Sequence, residues 1–506
     1  MDFLDPKKRR AALIRLILGY ILLGIALILT TIILLYQAYG FGIKNGQVIQ
    51  SGLVFVSSQP SPAQIFINGQ LNTSTTNTRL LLPAGQYTLQ LQRSGYRIWL
   101  RAMTVEGGVV EHFDYPFLFP TNLVTKVTQK FATPPPVAAQ SPDRRWLLVE
   151  PDATAYGTFA LTDLSHPTVA PTSVVIPQNI FSLTTGTSSW QVIQWSNDNQ
   201  HVLLKHITTN GATQASEYIM VDTQNPQASF NLTKLLGVNP TTIQLNNNLY
   251  NSYFLYSQPN QTLMTATQSN PQPQPLLSNV LGFQAHGSST ILYATSLGAP
   301  AGKAYIKLLY GGQTYTIRGV TISPTYILNL TQYNGAWYVV AGSPADSRTY
   351  VYKNPMQTVQ TAPKGLVELP APVEVFTVPS PNFAAFSANA QLVMVENGTQ
   401  VGVYDAQTNR AYAYHLVSPI DPPQPNVTWM DGNRLVYVSN GKVVVVDYDN
   451  TNHQVLNEAD PSYSLLFDSS YKFLYTFGQM TTKDATGAQT SQFSLNNTAL
   501  LIPSDQ

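Results

Sequence analysis

The chain has no cysteine in 506 residues. That excludes disulfides, cysteine-ligated zinc and a thiol nucleophile in one step. Secreted domains that fold in an oxidising eukaryotic compartment usually carry disulfides, so a chain of this size without them points to the outer face of a prokaryotic membrane. Charge is scarce as well. Asp, Glu, Lys and Arg make up 10% of residues, against about 25% in ordinary soluble domains. Asn, Gln, Thr and Ser take the polar positions instead. The first 15 residues hold five basic and two acidic side chains, leaving 22 basic against 24 acidic in the remainder. Such a balance gives no basic footprint for nucleic acid and no strong steering field.

What the chain does have is one long apolar run near its start. Lys7-Lys8-Arg9-Arg10 precedes an uninterrupted stretch from Leu13 to Tyr36 whose only charge is Arg15. At about 1.5 Å per helical residue the stretch covers roughly 36 Å, enough for a hydrocarbon core of about 30 Å with some tilt. The basic cluster favours the cytoplasmic side, which sends the rest of the chain outward. A secretory signal peptide is the alternative, but its apolar region would be about 7–15 residues and would end in a small-x-small site. Gln37-Ala38-Tyr39-Gly40 fits that poorly. The expected organisation is a cytoplasmic tail over 1–12, a transmembrane helix over 13–36 and a juxtamembrane linker over 37–50.

Residues 51–119 read as short strands separated by turns. Gln64 to Ile67 closes on Asn68-Gly69, the strongest short hairpin signal. Tyr87, Leu89 and Leu91 alternate with Thr88, Gln90 and Gln92, the period of a strand with one buried face. Further strands run over Leu53 to Val56, Arg79 to Leu82, Ile98 to Val105 and Val109 to Tyr115, the last two flanking Gly107-Gly108. A sheet of this size needs cover on its apolar face, which predicts a compact sandwich. In the order Ser58, Pro60, Ala63, Ile65, Ile67-Asn68-Gly69, Leu82, Gly85, Tyr87, Leu89, Leu91 and Gly95-Tyr96, the segment resembles the PEGA domain, a small all-β module of bacterial and archaeal envelope proteins. The four residues behind that name stand here as Pro60-Ser61-Pro62-Ala63, and the usual Gly-x-Thr-Pro is replaced by Asn72-Thr73-Ser74-Thr75. The resemblance implies an extracytoplasmic location and no catalytic residue.

A Pro-rich linker is expected over 120–136, ending in Pro134-Pro135-Pro136, which cannot enter a central strand. From 137 to 506 one pattern recurs: a polar turn, then an apolar run beginning five residues after the turn starts. Ser141 leads to Trp146, Ser196 to His201, Ser387 to Leu392, Met430 to Leu435 and Asp468 to Phe473. Weaker copies begin near Asn248, His286 and Gln332 and precede Tyr253, Ile291 and Trp337. After the strong copies a strand ends in Asp at Asp163, Asp222, Asp405 and Asp447, where a carboxylate can hold an Asx-type turn. Copies recur every 37 to 56 residues or so, a period that marks a β-propeller. Eight units predict eight blades, with seven the alternative. The turn pattern resembles TolB-like and WD-repeat-like propellers, although the Trp-Asp dipeptide is absent. The fold class expected is thus mostly β: an N-terminal transmembrane helix, a small PEGA-like β-sandwich and a propeller.

Short catalytic motifs are missing: no Gly-x-Ser-x-Gly, Gly-rich phosphate loop or His-Glu-x-x-His occurs. His112, His166, His201, His206, His286, His415 and His453 are scattered. His201 and His206 lie five apart on a predicted strand, so they face opposite ways and cannot share a metal. Asp447-Tyr448-Asp449-Asn450-Thr451 has the oxygen alternation of a calcium loop, but Asn452 stands where its glycine belongs and no bidentate Glu follows. A turn aspartate accounts for it better. Ser141-Pro142-Asp143 at Trp146 has part of the sialidase Asp-box without its glycine. Trp195, Phe386, Trp429 and Phe467 share one repeat phase, which predicts packing between blades. Trp99 and Trp190 lie outside it and are candidates to stack on a sugar or peptide.

No catalytic, cofactor or metal residue is assigned from the sequence, and the ligand-binding residues are left open. The function expected is a membrane-anchored extracytoplasmic binding or scaffold protein of a prokaryotic envelope, not an enzyme, whose partner is cell-wall polysaccharide or an envelope protein. The alternative is an extracytoplasmic enzyme acting on glycans or peptides at the channel mouth. Charged groups clustered there would favour catalysis; Asn, Thr and Tyr would favour binding.

Overall fold

The computed structural model describes residues 6–38, 41–44, 47–152, 154, 156–183, 186–357, 369–424, 426–483 and 489–505. Two compact units divide it, one within 1–122 and one over Leu123–Ser504. In the first, a single helix covers Pro6–Ala38, so it begins inside the segment expected as a tail. Its apolar part, Leu13–Tyr36, is long and apolar enough to cross a membrane and is unburied; at its end Tyr36 meets the ring of Phe41.

The small β-domain consists of two four-stranded sheets. One places Gln47–Val56 between Thr78–Pro83 and the parallel strand Val110–Phe113, with Phe41–Lys44 at its edge. The other orders Gln70–Thr75, Gln64–Ile67, Gly85–Gln92 and Trp99–Val105. Val54 and Val56 from the first sheet and Ile65, Leu89 and Leu91 from the second are fully buried, as the alternation in the sequence requires. Asn68 and Gly69 both adopt left-handed backbone, at φ 51° and 77°, the geometry of the tight hairpin turn. The linker expected over 37–50 is corrected: Phe41–Lys44 and the start of Gln47–Val56 form an antiparallel pair there. Residues 39–40 and 45–46 of that span lie outside the described residues.

Eight four-stranded antiparallel sheets follow in chain order, the blades of a propeller. In blades 1 to 7 the four strands come in sequence, the first strand of each beginning at Val137, Thr187, Thr242, Val280, Ile327, Phe383 and Thr428 in turn, and the last strand of blade 7 ending at Glu458. Blade 8 takes three strands from the C-terminal end (Leu466–Phe467, Phe473–Lys483 and Gln489–Ala499) and its fourth from Thr125–Phe131. The Pro-rich linker is therefore corrected too, because half of it is the strand that closes the ring. That strand is an outer one, rich in Thr, Lys and Gln on its wet face, so its composition disguised it. Closure leaves no open ring edge on which another chain could pair.

All eight repeat copies fall on the second strand of a blade. These strands are buried on both faces because each blade lies between two others, and their sequences are accordingly continuous apolar runs such as Leu147-Leu148-Val149. The five-residue offset has a hydrogen-bond cause. In three blades the side chain that opens the turn accepts the N–H of the residue five on: Ser141 Oγ from Trp146 at 2.9 Å, Ser387 Oγ from Leu392 at 3.0 Å, and Asp468 Oδ1 from Phe473 at 2.6 Å. In the turns opened by Ser196 and Met430 an aspartate inside the turn, Asp198 or Asp431, accepts the N–H of His201 or Arg434 instead. Blade 5 replaces this turn by the two-residue Asn334-Gly335, which is why its copy is faint in the sequence. The third-strand aspartates do hold turns, with Asp163, Asp222 and Asp405 each accepting the N–H two residues on at 2.9–3.0 Å.

Cores lie between blades. Phe131, Phe477 and Leu495 of blade 8 pack with Leu147 and Val149 of blade 1, while Leu203 and Met220 of blade 2 pack with Ile243 and Leu255 of blade 3. Trp195, Phe386, Trp429 and Phe467 all end a first strand. Trp429 donates from Nε1 to the Ala385 carbonyl of blade 6 at 3.0 Å, the inter-blade role their shared phase implies.

Candidate functional site

The turns after the eight first strands share one face of the ring. There Arg144 of blade 1 reaches across blade 8. Its Nη2 donates to the Met430 carbonyl of blade 7 at 3.2 Å, and its guanidinium stands 4.8 Å from the centre of the Tyr471 ring of blade 8. Arg144 and Tyr471 occupy the same turn position in their blades, and both have left-handed backbone (φ 63° and 56°), which costs side chains other than Gly and Asn. Burial raises the Tyr471 phenol above its ordinary pKa. Beside them Asp431 and Arg434 form a buried ion pair, and Asp431 also accepts the N–H groups of Asn433 and Arg434. Asp143 and Asp198 are likewise held by N–H groups of their own turns. Charged side chains do cluster on this face, but turn bonds and one another occupy them.

On the opposite face, blades 7 and 8 diverge to leave an open cleft of about 600 Å³. Lys442, Asn457, Glu458, Asp460, Gln479 and Met480 contribute to its lining. The amide of Asn457 is half committed. Its Nδ2 donates to Thr476 Oγ1 at 2.9 Å, whereas its Oδ1 is buried with no hydrogen-bond partner. A buried acceptor left open in this way costs about 1–3 kcal/mol. One cation and two carboxylates among neutral amides suit a polar, uncharged ligand better than an anion.

Blade 2 carries a third polar cluster. Its second and third strands, His201–Asn210 and Thr213–Asp222, are ten residues each, against five and six in blade 1. The hairpin register sets His206 directly opposite Glu217. His206 Nδ1 is 3.0 Å from Glu217 Oε1, and its Nε2 is 2.6 Å from the Ser188 hydroxyl. Glu217 also accepts the Ser182 N–H at 2.6 Å and Asn231 Nδ2 at 2.6 Å. Asn231 is fixed in turn, because its Oδ1 caps the short helix Leu232–Leu236 through Lys234 N. Burial acts to raise the Glu217 carboxyl, but the bonds from His206, Ser182 and Asn231 outweigh it and bring the pKa to about 2.

The sequence candidates are distributed differently from expectation. Trp190 is 4% exposed, buried against Phe159, Phe181 and the His206 ring. Trp99 is 2% exposed, packed on Phe113 and Tyr115. Neither can stack on a ligand, which corrects that reading. His201 stacks on Tyr250 and bonds Asp198, apart from His206 as their spacing requires. His112 and His166 pair with Asp114 and Asp163, His286 meets Trp337 edge-on, and His415 and His453 bond Gln400 and the Asn450 carbonyl. Asp447 accepts from Asn452 Nδ2 at 2.9 Å. Reading the sequence missed the blade 2 cluster because its members lie 18 and 11 residues apart on three strands. The hairpin turns at Gly211-Ala212, which pairs residue 206 with 217; a turn centred on the Asn210-Gly211 signal of the sequence would have set 206 opposite 215.

Residues 51–117 match the PEGA domain family. No curated protein matches the sequence. Among solved structures, the propeller-bearing chain is similar to an oligogalacturonate lyase in complex with manganese (10% identity, TM-score 0.37, covering 76% of this chain and 99% of that one). It is similar to the oligogalacturonate lyase of Vibrio parahaemolyticus (9%, TM-score 0.36, 76% and 98%) and to a putative 6-phosphogluconolactonase from Bacteroides uniformis (13%, TM-score 0.34, 58% and 95%). Likeness at this level says nothing about what this chain binds or catalyses.

Proposed function

We propose that this protein is a membrane-anchored, extracytoplasmic binding protein of a prokaryotic envelope, and that its propeller takes a neutral polar ligand, a stretch of cell-wall glycan, in the cleft between blades 7 and 8. The observation that carries this reading is the unpartnered, buried Oδ1 of Asn457 in a cleft whose polar lining is mainly amides, with one cation and two carboxylates. Sugar hydroxyls both donate and accept, so they suit a wall whose neighbouring amides offer both roles. The PEGA match and the exposed apolar helix support the location. The basic cluster at residues 7–10 supports an N-terminus kept in the cytoplasm. On the turn face, the commitment of Arg144, Asp431 and Arg434 to structural bonds favours binding over catalysis at that mouth.

The test is co-sedimentation of the full chain, held in detergent micelles, with isolated cell-wall material. Saturable pelleting that weakens at least tenfold in Asn457→Ala and Gln479→Ala is the expected outcome. Pelleting unaffected by either change would remove the cleft from the reading, and no pelleting would remove the glycan.

A further inference from the structure

We propose that Ser188 is an activated nucleophile, with His206 as its general base and Glu217 as the positioning carboxylate, and that this relay on blade 2 cleaves carboxylic esters. The inference stands apart from glycan binding and rests on other residues.

Three observations support it. First, the hydrogen-bond geometry is that of a relay. An ionised carboxylate only accepts hydrogen bonds, so Glu217 Oε1 requires the proton to be on His206 Nδ1, 3.0 Å away. In the neutral ring Nε2 is then an acceptor, and the contact of 2.6 Å to Ser188 is made by the serine O–H. A nucleophile bonded to a base that a third group orients is the arrangement that activates a serine. Second, the relay is graded in exposure. The His206 side chain is 1% exposed and that of Glu217 11%, while Ser188 is half-buried at the start of its strand. The only member placed to meet a substrate is thus the one that would react. Third, the relay lies where blade 2 outgrows its neighbours. His206 is the first residue beyond the length of the blade 1 strand Trp146–Glu150, so packing of the ring does not require a polar group there. Trp190 stacks at 4.3 Å on one side of the imidazole and Phe181 stands edge-on at 5.3 Å. These rings exclude water from the base and fix its plane.

In the reaction, Ser188 Oγ bonds to the ester carbonyl carbon as its proton passes to His206 Nε2. The carbon–oxygen bond to the alcohol then breaks, and the departing alkoxide takes that proton. Water attacks the acyl-serine, giving its proton to Nε2. The carboxylic acid leaves as Ser188 Oγ recovers the proton. Glu217 stays ionised throughout, and the sum is ester plus water to acid plus alcohol.

The test treats the full chain in detergent with a fluorophosphonate, in which Ser188 Oγ would displace fluoride from phosphorus, and maps adducts by peptide mass spectrometry. The expected result is one phosphonyl group on Ser188, absent in Ser188→Ala. In Glu217→Gln, whose amide can present its own N–H to Nδ1 and so favour the wrong tautomer, labelling slows at least tenfold and its pH profile changes. No adduct on Ser188 in wild-type protein with an intact thermal transition would overturn the proposal. Equal labelling rates in wild type and Glu217→Gln would overturn it as well.

Discussion

The hydroxyl of Tyr475 in blade 8 donates to the carbonyl of Leu164 in blade 1, and the phenol is fully buried. This bond joins the two ends of the propeller, whose sequences are 311 residues apart. It works with the outer strand Thr125–Phe131 and the shared core of Phe477, Leu495 and Leu147 to close the ring.

Removing only the hydroxyl therefore removes the closing bond, together with the phenol's hydrogen bond to the Asn497 side chain within blade 8. Tyr475→Phe keeps the ring packing and strands a buried carbonyl, for an expected loss of about 1–3 kcal/mol. Urea unfolding of the two proteins side by side measures it. Identical midpoints would show that the closure depends on the outer strand and the core alone.

Gly402, in the third strand of blade 6, faces Phe376 in the fourth strand of blade 5. A Cβ at that position would lie 2.4 Å from Phe376 Cδ1, and Phe376 is itself only 3% exposed within the inter-blade core. The ring has nowhere to retreat, so Gly402→Ala is expected to destabilise by about 1–3 kcal/mol through overpacking. Phe376→Leu in the same chain should restore part of the loss. If the double variant is simply the sum of two losses, the clash is not the cause.

Glu150 and Glu396 each end the second strand of a blade, and both are almost wholly buried. Burial pushes each carboxyl up to about 7, with Asp152 adding to the shift at Glu150 and the N–H groups of Gly398 and Val427 opposing it at Glu396. The folded chain therefore binds more protons than the unfolded chain between about pH 4.5 and 7. Stability falls as pH rises across that window and levels off above it, by about 3 kcal/mol for each site. Thermal melts between pH 5 and 8 should show the decline, and Glu150→Gln with Glu396→Gln should flatten it. A wild-type melting point that holds level or climbs over this range would contradict the prediction.

Much of the architecture was legible because it depends on local chemistry. The apolar run from Leu13 to Tyr36, the Asn68-Gly69 hairpin and the five-residue offset from Ser141 to Trp146 each reflect a requirement met within a few residues. A polar turn followed by an apolar second strand recurs through the chain and marks the eight blades, although the turn bond itself varies from blade to blade. Where blade 5 turns at Asn334-Gly335 the copy faded, and where Thr125–Phe131 serves as an outer, wetted strand it passed for a linker. Trp99 and Trp190 were misread for a related reason: nothing local tells a tryptophan whether a neighbouring blade or sheet will cover it.

The sequence by itself determined that this chain is β-rich, repetitive, free of thiols and headed by one helix able to span a membrane, because periodicity and composition are properties of the chain alone. The tertiary structure alone decided which groups meet. Ser188, His206 and Glu217 come from three strands, Asn457 from an outer strand of blade 7 that faces blade 8, and Arg144 reaches blade 7 across blade 8. These contacts depend on strand register and on how far each blade is turned from the last. Both are set by packing summed over the whole ring, and no short window of residues records them.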